Sequence, residues 1–278
     1  MKTQENWYID WQDSQHARHL DARLALPSRS LIRNFESFSD VLLLNKRLEA
    51  LRRPPLLEVG CATGEFYRYL QLKDSGVSYT GLDISEPAIV RARQKYPQGR
   101  FFVSDPAQSL PEILKAHRLD PQWPIVYSKD VLHHQTDPFG FLSELLWVCS
   151  DSLILRTRTR DQGPTLVDPE RSCQHHYQGW MPYIVLNVDE LIGQIRLHAP
   201  GSEIVLYRNH MVLGGRENRF LPKECYLPET GTAESAVGVF RESSHGNRVR
   251  VIDQAEGPVR HSLTDRVAMR LRRRGRKS

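Results

Sequence analysis

Short apolar runs alternate with amphipathic stretches along most of the chain, divided by Pro, Gly, Asn and Asp. This alternation, without internal repeats, predicts an α/β sheet protein. Residues 40–52 read as a helix stopped by Pro54-Pro55, with Leu42, Leu43 and Leu44 facing a core. Leu56-Leu57-Glu58-Val59 is the first strand, and Gly60 to Gly64 turn the chain into a helix from Glu65 to Leu70. A second strand covers 77–83, and Ser85 caps a helix with Pro87 in its first turn, running to Lys95 or Tyr96. A third strand at 100–103 leads through Ser104-Asp105-Pro106 to a helix over 111–118. A fourth strand at 124–128 precedes Asp137-Pro138 and an apolar helix over 139–149. The fifth strand is 152–158, and after a less regular stretch Asn187 caps a helix reaching His198. Residues 203–208 and 236–241 are the last strand candidates, joined by a long loop over 209–235.

Composition adds that 278 residues, 40% hydrophobic and 26% charged, suit one sizeable core with peripheral additions. No apolar stretch resembles a signal peptide or reaches membrane-spanning length, so a cytoplasmic protein is expected. Cys61, Cys149, Cys173 and Cys225 are scattered without paired spacing, which argues against a disulfide framework or a zinc ribbon. The net charge of +5 hints at a nucleic-acid partner until it is located. Residues 259–278 alone carry +7, leaving −2 on the remainder, so the basicity belongs to a tail. Within that tail Leu263, Val267 and Leu271 recur at helical spacing. It reads either as a basic amphipathic helix in weak contact with anionic membrane or RNA, or as a disordered end.

Candidate chemistry begins at the first turn. Gly60 and Gly64, with small Ala62 between, let backbone amides approach a ligand closely. Alone this turn serves a nicotinamide dehydrogenase equally well. Asp83 then ends the second strand 19 residues after Gly64, where a carboxylate can accept from two ribose hydroxyls, and Asp105 ends the third. Two carboxylates on consecutive strand ends beside one glycine turn describe a nucleoside pocket at a topological switch point. Position 65 is Glu where dinucleotide folds place a third glycine, and its charge would oppose a pyrophosphate.

Leu56 to Gly64, Tyr79 to Ser85, Phe101 to Asp105 and Val126-Tyr127-Ser128-Lys129-Asp130-Val131-Leu132-His133-His134 fall in order over residues 55–158. With these four segments the chain resembles the class I S-adenosylmethionine-dependent methyltransferases of the broad small-molecule type. The resemblance implies a doubly wound, mostly parallel seven-stranded sheet with helices on both faces. It implies S-adenosylmethionine as cofactor, S-adenosylhomocysteine as product, and no metal. By the same resemblance Gly60, Ala62 and Gly64 line the methionine part, with Cys61 beside them and Glu58 near its amino group. Asp83 binds ribose, Ile84 covers adenine, Asp105 with Pro106 meets the adenine edge, and Ser128 offers its carbonyl to the methionine amine. Ala62 departs from the pattern, where many members have glycine.

On the acceptor side, His134 and, second to it, His133 are candidates for a general base; the plainer alternative is that they pack or bind backbone. Arg156, Arg158 and Arg160 alternate along one face and suit a phosphate or carboxylate, or else pair with surface acids. Tyr177, Trp180 and Tyr183 are expected to roof the acceptor. Cys173-Gln174-His175-His176 lacks the second spaced ligand a metal site needs. The organisation expected is a helical extension over 1–52, a cofactor-binding domain over 53–258 with roof insertions at 159–186 and 209–235, and the tail. The activity expected is O-methylation of a small-molecule or glycan hydroxyl. N-methylation of a small amine and a non-catalytic scaffold are the alternatives.

Overall fold

In a computed structural model describing residues 7–73, 76–168, 171–173, 181–210, 231–241 and 246–254, the centre of the sheet is β1 (Leu56–Val59), buried along its whole length. Four consecutive buried apolar or paired residues are what a parallel strand covered on both faces requires. Its parallel neighbours are β2 (Tyr79–Asp83) and β4 (Trp123–Lys129), while β3 (Arg100–Val103) lies outside β2. On the other side follow β5 (Cys149–Arg160), then β8 (Ala233–Phe240), β7 (Glu203–His210) and β9 (Val249–Gln254). The order is β3-β2-β1-β4-β5-β8-β7-β9, with the two-residue β6 (Leu186–Asn187) on the overhang of β5. Only β8 runs against its neighbours. Successive side chains point to opposite faces, so Leu56, Ile125 and Ile154 enter one core and Leu57, Val126, Leu153 and Leu155 the other.

Among the described residues the sheet has nine strands rather than the seven expected. β6 is too short for any periodicity to reveal, because its existence depends on the length of β5. β9 is a half-exposed edge, which lacks the continuous apolar run of the central strands. β5 is longer than its apolar stretch because β4, β6 and β8 all pair with it.

Helices form where caps and apolar faces coincide. Ser85, Asp137 and Asn187 accept at the starts of α5 (Glu86–Lys95), α7 (Pro138–Val148) and α8 (Val188–His198). A reciprocal Ser109–Glu112 box starts α6 (Leu110–Ala116), and left-handed Arg118 ends the chain's helical course earlier than the pattern suggests. α4 (Glu65–Leu72) starts from Gly64. Ahead of β1 lie α1 (Ser14–Leu24), α2 (Ser28–Glu36) and α3 (Ser39–Ala50). Leu31, Phe35, Val41, Leu44 and Leu48 of α2 and α3 join the core that α4 and α5 cover. The expected docking of Leu42 is corrected: helical spacing turns it outward at 47% exposure, and Val41, Leu44 and Leu48 make the buried stripe. Tyr177, Trp180, the loop core 211–230 and the basic tail lie outside the described residues.

The turn after β1 is where the fold is tightest. Gly60 has φ +90°, and a Cβ there would sit 2.1 Å from Val131 Cγ2, on the exit of β4. Gly60→Ala is therefore expected to lower the unfolding free energy by roughly 1–3 kcal/mol through positive φ and overlap. Chemical denaturation checks it, and Val131→Ala in the same chain should recover the steric part only.

Candidate cofactor and acceptor site

β4 pairs with β1 only as far as Glu58↔Tyr127, whereas β1 stays paired with β2 to Val59↔Leu82. The strand order reverses at this parting, so a crevice opens at the carboxyl ends of the strands. The turn fills its floor. Gly60 and Cys61 both donate from their backbones to Leu82 O, at 2.8 and 3.0 Å. Ala62 takes φ +47° and Gly64 φ +80°, and Gly64 fits against the rings of Tyr96 and Phe101. The Thr63 hydroxyl is buried without a hydrogen-bond partner.

Three of the carboxylates expected at the site are brought to this edge in different states. Glu58 is buried and accepts from the Tyr79 hydroxyl; burial pushes its carboxyl up to about 8 against the opposing pull of that bond and of Lys129. Asp83 accepts from Ala62 N at 2.7 Å and Ser85 N at 2.8 Å, so it shapes the turn as well as facing the crevice. Burial raises its pKa while both amides lower it. Asp105 is exposed and accepts from Ala107 N at 2.9 Å. Ser104 N donates to Asp83 O at 2.8 Å, tying the exits of β2 and β3 together. Ile84 and Pro106 are half-buried at the same edge. Ser128 donates its hydroxyl to Val59 O at 3.0 Å, and Cys61 is buried, its thiol pushed well up by burial and by Asp83 and Glu58.

Glu65 does not face the crevice as a free charge. It is buried and paired with Lys95 of α5, with Arg68 3.8 Å away, so the repulsion expected of it toward a pyrophosphate is spent inside the fold. The distinction from a dehydrogenase rests on the remaining features.

The histidine pair lies on a short 3-10 turn, Leu132–His134, that follows β4. His134 Nδ1 lies 2.7 Å from Pro182 O, and a carbonyl only accepts, so Nδ1 carries the proton and Nε2 the lone pair. Burial pushes His134 down to about 4 and His133 well below the usual histidine range. Tyr183 packs against both rings, at 5.0 and 5.5 Å between centroids. Trp11, which the sequence gave no reason to select, closes on His134 at 4.9 Å from a 3-10 turn at Ile9–Gln12.

The expected arginine row exists, and its two more buried members already have carboxylate partners. Asp130, at φ +59°, is held by Arg156 Nε at 3.0 Å and Arg158 Nη1 at 3.1 Å. Burial opposes its ionisation, yet the two guanidinium groups hold its carboxyl well below the usual range. Glu234 lies 3.2 Å from Arg158 Nη2, and Arg158 Nε donates to Tyr183 Oη at 3.0 Å. Asp40 of α3, fully buried, accepts from Tyr127 Oη at 2.6 Å and stands 3.9 Å from Arg156 Nη1. Asp130 and Asp40 were not selectable in advance, since their importance lies in partners distant along the chain. Among the described residues no cluster of His, Cys, Asp and Glu could hold a metal ion, and no helix is long and apolar enough to cross a membrane.

Comparison with known proteins agrees with this geometry. Residues 57–151 match the methyltransferase domain family. A tRNA (guanine-N(7)-)-methyltransferase of Prochlorococcus marinus subsp. pastoris is 35% identical over 65 residues, 23% of this chain. That match spans only 31% of the relative's length. Among solved structures, magnesium protoporphyrin IX methyltransferase from Synechocystis PCC 6803 with bound SAM superimposes with a TM-score of 0.51 at 17% identity. The alignment covers 86% of this chain and 98% of that one. The same enzyme with bound SAH gives 0.50 at 16% identity, covering 83% and 97%. The matched segment, residues 57–151, contains the turn, both strand-end carboxylates and the histidine pair, so the chain carries a methyltransferase domain there, and the two solved structures share its fold.

Proposed function

We propose that the chain transfers the methyl group of S-adenosylmethionine to a hydroxyl oxygen of a small-molecule or glycan acceptor, releasing S-adenosylhomocysteine. The observation that carries this reading is that the glycine turn and Glu58 after β1, Asp83 and Asp105 after β2 and β3, and the histidine pair after β4 all lie at the carboxyl ends of adjacent parallel strands. The residues fit the cofactor: the positive-φ positions Gly60, Ala62 and Gly64 carry no side chain larger than a methyl, and Thr63 has a buried hydroxyl still to be satisfied. Asp83 and Asp105 would hold ribose and adenine, with Ile84 and Pro106 on the ring, and Glu58 and the Ser128 carbonyl would hold the methionine amine. When bound, the cofactor supplies a methyl group on a positively charged sulfur, a leaving group already activated.

Such a displacement needs mainly alignment. His134 is held by Pro182 with its free nitrogen lone-paired, so it can orient an acceptor hydroxyl and take its proton as the oxygen loses basicity. A base with a pKa of about 4 does not ionise a hydroxyl beforehand, which makes positioning its larger contribution. Tyr183 borders the same space, and Arg156 and Arg158 flank it through Asp130. In this reading residues 53–258 are the catalytic domain and 1–52 its helical cover.

Calorimetry with S-adenosylmethionine tests the reading directly: the full chain should bind it, and Asp83→Ala should weaken binding by at least about tenfold, the loss of one charge-assisted bond or more. A wild-type chain that does not bind it would falsify the assignment. In methyl-transfer assays over panels of hydroxyl and amine acceptors, transfer to amines alone would exclude the oxygen as acceptor.

The Glu58 carboxyl, at about 8, is mostly protonated near neutrality and must ionise to hold an ammonium group. Cofactor affinity is therefore expected to rise roughly tenfold from about pH 6 to about pH 7, where the methionine amine keeps its proton. Glu58→Gln should bind more weakly and lose that slope. In the ligand-free chain the folded state holds a proton that the unfolded state releases above 4.5, so stability should fall as pH rises from 4.5 towards about 8. Denaturation across that range should find a flatter profile for Glu58→Gln.

A further inference from the structure

His134 has to be reached before it can hold an acceptor, and at 7% exposure it is covered. Four groups surround it: the Pro182 carbonyl at 2.7 Å, and the rings of His133, Trp11 and Tyr183 with centroids at 4.1, 4.9 and 5.5 Å. Three of the four are locked in place by the elements around the end of the sheet. Ile184 N donates to His133 O at 2.8 Å, Tyr183 N to Ser172 O at 2.9 Å, and Arg158 Nε to the Tyr183 hydroxyl at 3.0 Å, while Pro182 forms an isolated β-bridge with Cys173.

Trp11 is the exception. It sits on the 3-10 turn Ile9–Gln12, and its backbone bond, Trp11 N to Tyr8 O at 3.0 Å, stays within that short stretch. Among the described residues none from 7 to 12 joins either apolar core, and the Trp11 Nε1 donor is buried with no hydrogen-bond partner, which weakens the closed position. Ring contacts hold it instead, with His134 and, at 4.8 Å, with His16. Behind the turn α1 is fixed: Ala17 is fully buried, and Asp21 pairs with Arg91 at 3.2 Å and with Lys95. Asp13 joins the two in extended conformation and caps α1 by accepting from Gln15 N at 2.7 Å, the kind of element-terminal position at which hinges form.

The same stretch crosses the site. α1 lies on α5, whose Ile89 and Ala92 belong to the core of one sheet face, whereas Leu132 beside the histidines belongs to the core of the other. Running from α5, which follows β2, to His134, which follows β4, it spans the end of β1, the strand between them. We propose that residues 7–12 are a latch on the acceptor side: hinged at Asp13 on the fixed α1, they swing Trp11 off His134 to admit the acceptor and return it to shut the ring away from water. This rests on the acceptor reading above and adds to it the movement that gives access to His134.

Diethyl pyrocarbonate, which ethoxyformylates a lone-paired imidazole nitrogen, is the probe, with labelling at His134 followed by peptide mass spectrometry on the ligand-free full chain. Labelling of a covered group scales with the fraction of chains that are open, and a minor state is populated at roughly 0.1–10%. Trp11→Ala should therefore label His134 at least about tenfold faster than the wild type, while Trp11→Phe, which keeps a ring, should stay within about threefold. Amide hydrogen exchange in β1 and β4 should be the same in all three chains, and wild-type His134 should be labelled faster than those amides open. An unchanged rate in Trp11→Ala would overturn the latch. So would loosening of β1 and β4 in that variant, or a wild-type His134 labelled only as fast as β1 opens, since either makes Trp11 a fixed part of the fold. Failure of the chain to bind S-adenosylmethionine would remove the catalytic reading without altering these rates, so the two failures are distinguishable.

Discussion

The parting of β1 and β4 beyond Glu58 and Tyr127 is the constraint on which the site depends. Where two parallel strands separate, their last carbonyls and side chains face each other across a gap, and the helix following β1 must start inside it. The start is possible only if the chain turns within a few residues under Val131, which Gly60 at φ +90° allows. Once that turn is set, Cys61 and Gly60 are anchored on Leu82, Asp83 is drawn onto Ala62, and Ser104 is drawn onto Asp83. The two strand-end carboxylates are therefore placed by the same hydrogen bonds that close the turn. A substitution at Asp83 acts on turn geometry as well as on the ligand contact proposed for it.

Ion pairs and hydrogen bonds link the N-terminal helices to this turn. Asp21 of α1 pairs with Lys95, which also pairs with Glu65 at the start of α4. Asp40 of α3 accepts from Tyr127, the residue at which β1 and β4 part. Exposed pairs such as Asp21–Lys95 add little, and buried ones such as Asp40–Arg156 are costly to dehydrate, so their value is better read as fixing positions than as net stability. The helices ahead of the sheet thus share the framework of the crevice instead of lying on it as a separable layer.

The central strands and the capped helices were legible because their causes are local: continuous apolar runs for β1, β4 and β5, and Ser85, Asp137 and Asn187 before their helices. The carboxylates at 58, 83 and 105 were legible from spacing relative to strand ends. β6 and β9 were not, since a two-residue strand and an exposed edge are created by their neighbours. Glu65 shows the same limit in the site: its identity suggested a repelling charge, but Lys95, thirty residues on, neutralises it. Asp130 shows the same limit, since its partners Arg156 and Arg158 lie on the next strand, which no local pattern contains.

The histidine pair completes the same logic of cost and placement. Two imidazoles with centroids 4.1 Å apart, covered by Trp11 and Tyr183, repel if both are charged, and burial makes even one charge expensive. Both rings are therefore held neutral, and Pro182 O fixes which nitrogen of His134 keeps its lone pair. For the proposed attack on a sulfonium methyl such an arrangement would suit, because a permanent cation beside a positively charged donor would disfavour the ligand's own charge. In that proposal a neutral ring would accept a hydrogen bond from the acceptor throughout, and the proton would move only as the new bond forms. The same cost of burial applies to Arg156 and Arg158, whose charges are neutralised by Asp130 and, for Arg158, by Glu234 as well.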